Sequence, residues 1–204
     1  MPRGPVIGPM VLAGVAIEEE KLGSLQALGV KDSKLLSPTQ REVLYDKIIK
    51  IVKSYKILVT QPADIDKAVF VNGLNTLEAI KFSQLINALK PDVAIVDCPS
   101  TNIGAYTEEL KLLLKQPTNL RCEHKAEKYP VVAAASILAK VTRDREIEKM
   151  KETYGDCGSG YPADPKTKQF LKENWDKYPE IFRKSWSTYK AYSEGKKQKS
   201  LSEF

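Results

Sequence analysis

The chain has 204 residues, 42% of them hydrophobic, enough for one domain with a real core or one domain plus a small helical appendage. Lys and Arg number 32 against 26 Asp and Glu, a formal net charge of +6 that favours a polyanionic partner. Cys98, Cys122 and Cys157 lie far apart without a C-x-x-C pair and His124 is the only histidine, so neither a zinc site nor a disulfide framework is supported.

No apolar run approaches the ~18 residues of a membrane span. The start, MPRGP, lacks the charged-then-apolar pattern of a signal peptide, so a cytoplasmic protein with no membrane partner is expected.

In chain order, residues 6–17 (VIGPMVLAGVAI) are β-branched and punctuated by Gly8-Pro9 and Gly14, which predicts strands with a bend. Lys31-Asp32-Ser33-Lys34 is a polar loop whose lysines could hold phosphates or be merely solvated. Ser37 and Pro38 then open a helix over about 38–52. A strand is expected over 55–60 and an amphipathic helix over 72–89, with Leu74, Leu77, Ile80, Leu85, Ile86 and Leu89 as its core residues.

The run Val93-Ala94-Ile95-Val96 reads as a buried strand ending on Asp97, ahead of the Cys98-Pro99 break. Open α/β sheets place their chemistry at such carboxyl ends. Asp97 is therefore either a turn cap or a functional carboxylate. A helix over 104–115 and a short strand over 119–124 come next, leading into the polar cluster Glu123-His124-Lys125-Ala126-Glu127-Lys128. A carboxylate here could face Asp97 across the sheet, although an acid at a helix start also suits the dipole.

Tyr129-Pro130 opens a helix to about 154, with a buried apolar first half and a charged second half, RDREIEKMKE, read as exposed. The loop Gly158-Ser159-Gly160-Tyr161-Pro162 could present Tyr161 for stacking on a sugar or base, or use it as a packing lid. Residues 165–192 read as short helices with Trp175, Phe182 and Trp186, and with Arg183, Lys184 and Lys190 adding positive charge. In the polar tail, Gln198, Leu201 and Phe204 recur every third residue, so one 3₁₀ turn would align Leu and Phe as a plug for a partner's pocket.

Together RGPVIGPMVLAGV, GVKDSK, AIVDCPS, EHKAEKYPVVAAASILAKVTRDREI, GSGYPADP and RKSW resemble ribonuclease HII, most closely its archaeal branch, over nearly the whole chain. The resemblance implies a ribonuclease H-like mixed α/β sheet flanked by helices, with a C-terminal helical segment. Residues 1–155 would be the catalytic domain, 156–192 the helical segment and 193–204 a flexible tail. The implied activity is hydrolysis of the RNA strand of RNA–DNA hybrids and incision at ribonucleotides embedded in DNA, by a monomer using Mg²⁺ or Mn²⁺ held by carboxylates.

By the same resemblance Asp97 matches an acidic metal-ligand position, and Glu127 stands where the family's KAD-x-KYP run carries Asp, in a loop one residue shorter. Arg3 and Gly4 match part of the Gly-Arg-Gly turn near the ribose 2′-OH, with Pro2 in place of its first glycine. Lys31, Ser33 and Lys34 match a phosphate-contacting loop, and Tyr161 matches the tyrosine that reads the RNA–DNA junction. Gln198-x-x-Leu201-x-x-Phe204 resembles a sliding-clamp peptide.

The family's opening G-x-D-E-A-G-R-G-P strand carries two further catalytic acids. Here Met1-Pro2-Arg3-Gly4-Pro5 occupies its end, and the nearest acids are Glu18, Glu19 and Glu20. This leaves two expectations: a ribonuclease HII whose first strand is missing from the sequence, with impaired cleavage, or a non-catalytic hybrid-binding module that recruits the clamp. A shortened central strand would also leave ladder groups unpaired, at about 1–3 kcal/mol each.

Overall fold

The structure is a computed structural model describing residues 4–30 and 36–201, with only the backbone described for 195–201. Its elements are β1 (Met10–Ala16), α1 (Leu22–Ala27), α2 (Pro38–Ile51), β2 (Ser54–Thr60), α3 (Pro62–Val71), α4 (Gly73–Leu89), β3 (Val93–Asp97), α5 (Ile103–Leu112), β4 (Asn119–Glu123), α6 (Pro130–Tyr154), α7 (Pro165–Asn174) and α8 (Ser187–Leu201). The described strands form two two-stranded sheets, β1 with β2 and β3 with β4.

Local chemistry sets several boundaries. The Gln40 N–H donates to Ser37 Oγ (3.2 Å) while the Ser37 N–H donates to Gln40 Oε1 (2.9 Å), a reciprocal cap that starts α2 together with Pro38. Tyr129 is extended, as a residue before proline prefers to be, and α6 begins at Pro130. Strands β3 and β4 are parallel and in register from Val93↔Asn119 to Asp97↔Glu123. A parallel pair needs a crossover, which α5 supplies.

The chain divides into two compact units: Val11–Leu58 with Asn72–Thr142, and Pro2–Met10 with Val59–Val71 and Arg143–Phe204. In the first, Leu25, Leu44 and Ile48 pack with Ala134, Ile137, Leu138 and Val141 of α6. A second cluster in that unit joins Ala79 and Ile86 of α4, Ala94 and Val96 of β3, and Tyr106 and Leu110 of α5. In the second unit, Val6 and Ile7 pack with Ile147, Phe170, Leu171, Phe182 and Tyr189.

Three expectations are corrected. The β3 run is buried only at alternate residues: Ala94 and Val96 face the core, whereas Val93 is 55% exposed, because successive side chains of a strand point to opposite faces. The charged half of α6 is not uniformly exposed, since Arg143 and Ile147 are buried. Arg183 adds no surface charge either. It is fully buried, donating from Nε to the Gly8 carbonyl (3.0 Å) and from Nη2 to the Pro9 carbonyl (2.8 Å). Helix α3, which the sequence reading leaves unassigned, also forms, and the backbone of α8 continues through the polar tail to Leu201.

Leu138 has no accessible surface and belongs to the buried cluster with Leu25, Leu44 and Ile48, so Leu138→Ala leaves a cavity. It is expected to lower unfolding free energy by about 2–5 kcal/mol in urea melts, against about 1 kcal/mol for Ser37→Ala, which removes only a cap.

Candidate active site

The parallel register places Asp97 and Glu123 side by side at the carboxyl ends of β3 and β4. The ladder closes just beyond them, where the Cys98 N–H donates to the Glu123 carbonyl (2.8 Å). His124 Nδ1 lies 3.1 Å from the Cys98 carbonyl oxygen. The chain then turns at Lys125, a non-glycine residue with φ +56°, into the single 3₁₀ turn Ala126–Lys128. That turn returns to the first strand: the fully buried Ala126 donates its N–H to Asp97 Oδ1 at 3.1 Å. Asp97 is thus half-buried and fixed by the residue next to Glu127, which is itself part-exposed.

Glu123 has a different environment. Its carboxylate accepts from Lys128 Nζ (2.6 Å), from Arg121 and from the Tyr129 hydroxyl (3.0 Å), while Arg121 and Lys128 each lie 5.0 Å from the Tyr129 ring centre. Arg121 reaches it because residues two apart on a strand share a face. Lys128 first, and then Arg121 and Tyr129, stabilise the charged form and bring the Glu123 carboxyl down to about 2 from its ordinary 4.5, against a smaller opposing effect of burial.

In the second unit, Gly4 lies beside Tyr161: a Cβ on Gly4 would come 3.9 Å from the Tyr161 ring. The structure therefore brings Asp97 together with the Glu127 turn, and Gly4 together with Tyr161. Arg3, Lys31, Ser33, Lys34 and Phe204, and the side chains of Gln198 and Leu201, lie outside the described residues. Sequence analysis names Glu123 only within the polar cluster and not as a site residue, because the predicted strand runs on to His124, and it does not single out Arg143, whose guanidinium covers Tyr161.

Among the described residues no three His, Cys, Asp or Glu side chains converge as a metal site. Asp97 has one oxygen occupied by an N–H, and Glu123 is committed to cations. The described side chains therefore supply no three-ligand divalent centre, and Asp97 with Glu127 would hold a cation only together with further oxygen ligands.

The ribonuclease HII family model matches residues 2–189. The chain belongs to the ribonuclease HII family. A ribonuclease HII from Pyrococcus abyssi is 45% identical over 205 residues, covering 98% of this chain and 91% of the relative. The solved ribonuclease H2 of Pyrococcus horikoshii OT3 superposes with a TM-score of 0.87 at 44% identity, covering 94% of this chain and 93% of that one. Ribonuclease HII in the structure of its complex with PCNA from Archaeoglobus fulgidus gives 0.83 at 42%, covering 92% and 91%. These likenesses establish the ribonuclease H-like α/β fold and the class of a ribonuclease H hydrolase, a family dependent on divalent metal. No helix among the described residues is long and apolar enough to cross a membrane.

The lowered Glu123 carboxyl gives a pH test. A folded value below the unfolded one contributes stability that is present above about pH 4.5 and lost as pH falls towards 2. Carbon-detected NMR should place its midpoint near 2, and Glu123→Gln should flatten the stability profile across that window; a midpoint above 4 would show that the cluster does not form.

Proposed function

We propose that this chain acts on RNA–DNA hybrids and on ribonucleotides embedded in duplex DNA, with Asp97 and Glu127 as the carboxylates presented to Mg²⁺ or Mn²⁺. The observation that carries the reading is the Ala126 N–H bond to Asp97, which draws the turn bearing Glu127 against the end of β3. Divalent cations in such enzymes polarise the phosphate and activate water. The chain's own part is to hold Asp97 at the sheet's carboxyl end and to recognise the substrate. Gly4 and Arg3 would recognise the ribose 2′-OH, the group that separates RNA from DNA, Tyr161 would read the junction, and Lys31, Ser33 and Lys34 would contact phosphate.

The second reading, a hybrid-binding module without catalysis, draws on the lack of any three-ligand cluster among the described residues. In both, Gln198, Leu201 and Phe204 would tether the protein to a sliding clamp, a reading supported by the relative solved with PCNA. Residues 1–155 would serve as the catalytic domain, 156–192 as the helical segment and 193–204 as the tethering tail. The protein would work as a cytoplasmic monomer.

Incision of a duplex containing one ribonucleotide, with Mn²⁺ or Mg²⁺, decides between the two. Cutting that Asp97→Asn lowers by about a hundredfold or more supports the enzyme, since removing even an outer partner of a metal ligand costs 10–100-fold. No cutting, alongside hybrid affinity that falls steeply with salt, supports the binding module. Separately, Leu201→Ala with Phe204→Ala should weaken capture by a sliding clamp at least about tenfold in a surface-binding assay, as loss of an apolar anchor does; unchanged capture removes the tether from the account.

A further inference from the structure

Arg143 sits in the charged half of α6 yet is only 1% exposed. Its Nη2 donates to the Ser159 carbonyl at 2.5 Å, Nη1 lies 3.3 Å from Asp144 Oδ1, and the guanidinium lies 4.8 Å from the centre of the Tyr161 ring. The loop it meets is shaped to admit it. Gly160 has φ +79°, and a Cβ there would lie 2.6 Å from Arg143 Nη2 and 2.9 Å from the Ile7 carbonyl oxygen, so a larger residue would push the arginine out.

The same loop holds the segment just after Gly4. The Val6 and Ile7 N–H groups both donate to the Gly160 carbonyl, at 2.8 and 3.2 Å, and the Gly160 N–H donates to Thr167 Oγ1 at 3.0 Å. Tyr161 stays part-exposed while the cation lies over its ring. A buried cation is weak evidence of stability, because desolvation cancels much of what its partners return and an apolar residue of similar volume often serves as well. What an apolar residue cannot supply is the combination seen here: a planar cation on the ring and a hydrogen bond to the loop two residues before it.

We propose that Arg143 is a positioning residue that fixes the orientation of the Tyr161 ring beside Gly4 and thereby sets discrimination between a ribonucleotide and a deoxyribonucleotide at the junction. This rests on the reading of Tyr161 as a junction contact. A ring already held in place loses less freedom on binding, so its contact with the substrate is stronger. Arg143 itself does not touch the substrate.

The test is the ratio of Kd values for an all-DNA duplex and the same duplex with one ribonucleotide, measured by fluorescence anisotropy on the full chain. Arg143→Met, Arg143→Lys, Tyr161→Ala and the Arg143→Met/Tyr161→Ala double variant are compared, with melting temperatures alongside. Arg143→Met should reduce the ratio about 3- to 30-fold, the range expected for a desolvated cation–π contact. In the Tyr161→Ala background the same change should reduce it no further. A merely structural arginine would weaken both affinities alike and leave the ratio unchanged. If Arg143→Met does not fold, Arg143→Lys decides by the same ratio, since it keeps the charge but loses the planar stack. A ratio lowered by Tyr161→Ala but untouched by the Arg143 variants overturns this inference alone. A ratio untouched by Tyr161→Ala overturns the junction reading beneath it.

Discussion

The parallel ladder between β3 and β4 is the constraint on which the candidate site depends. Parallel strands in register end together, so Asp97 and Glu123 are neighbours because Val93 and Asn119 are. The surroundings of the two acids then diverge. The turn after β4 returns a backbone N–H to Asp97, whereas Lys128 and Arg121 surround Glu123. Adjacent carboxylates repel, and placing two cations on one of them relieves that repulsion without neutralising the other.

The residues proposed for recognition and for chemistry fall in separate parts of the chain. Asp97 and Glu127 belong to the unit built from Val11–Leu58 and Asn72–Thr142, and Gly4, Arg143 and Tyr161 belong to the other. That separation makes the binding-module reading physically coherent.

Local signals carried most of the fold. Ser37, Pro38 and Gln40 announce α2, and Tyr129-Pro130 announces α6, because caps and proline restrictions act within a few residues. The position of Asp97 at a strand end was legible for the same reason. Arg143 was not, since in RDREIEKMKE it looks like any solvated charge, and its burial is caused by a carbonyl and a ring 16 and 18 positions later. Arg183 was hidden similarly, because its acceptors lie 174 and 175 positions earlier. Composition cannot report a partner so distant along the chain.

That distance has a bearing on how the protein is made. Residues 4–9 are held by the carbonyl of Gly160, by an antiparallel bridge between Ile7 and Phe182, and by the guanidinium of Arg183, all of which lie far later in the chain. At roughly 5–20 residues per second, the segment waits on the order of ten to thirty seconds before its partners exist. The part of the chain that lies beside Tyr161 is thus synthesised well before the groups that hold it, and a ribosome that stalls before Arg183 leaves it without the guanidinium bonds to Gly8 and Pro9.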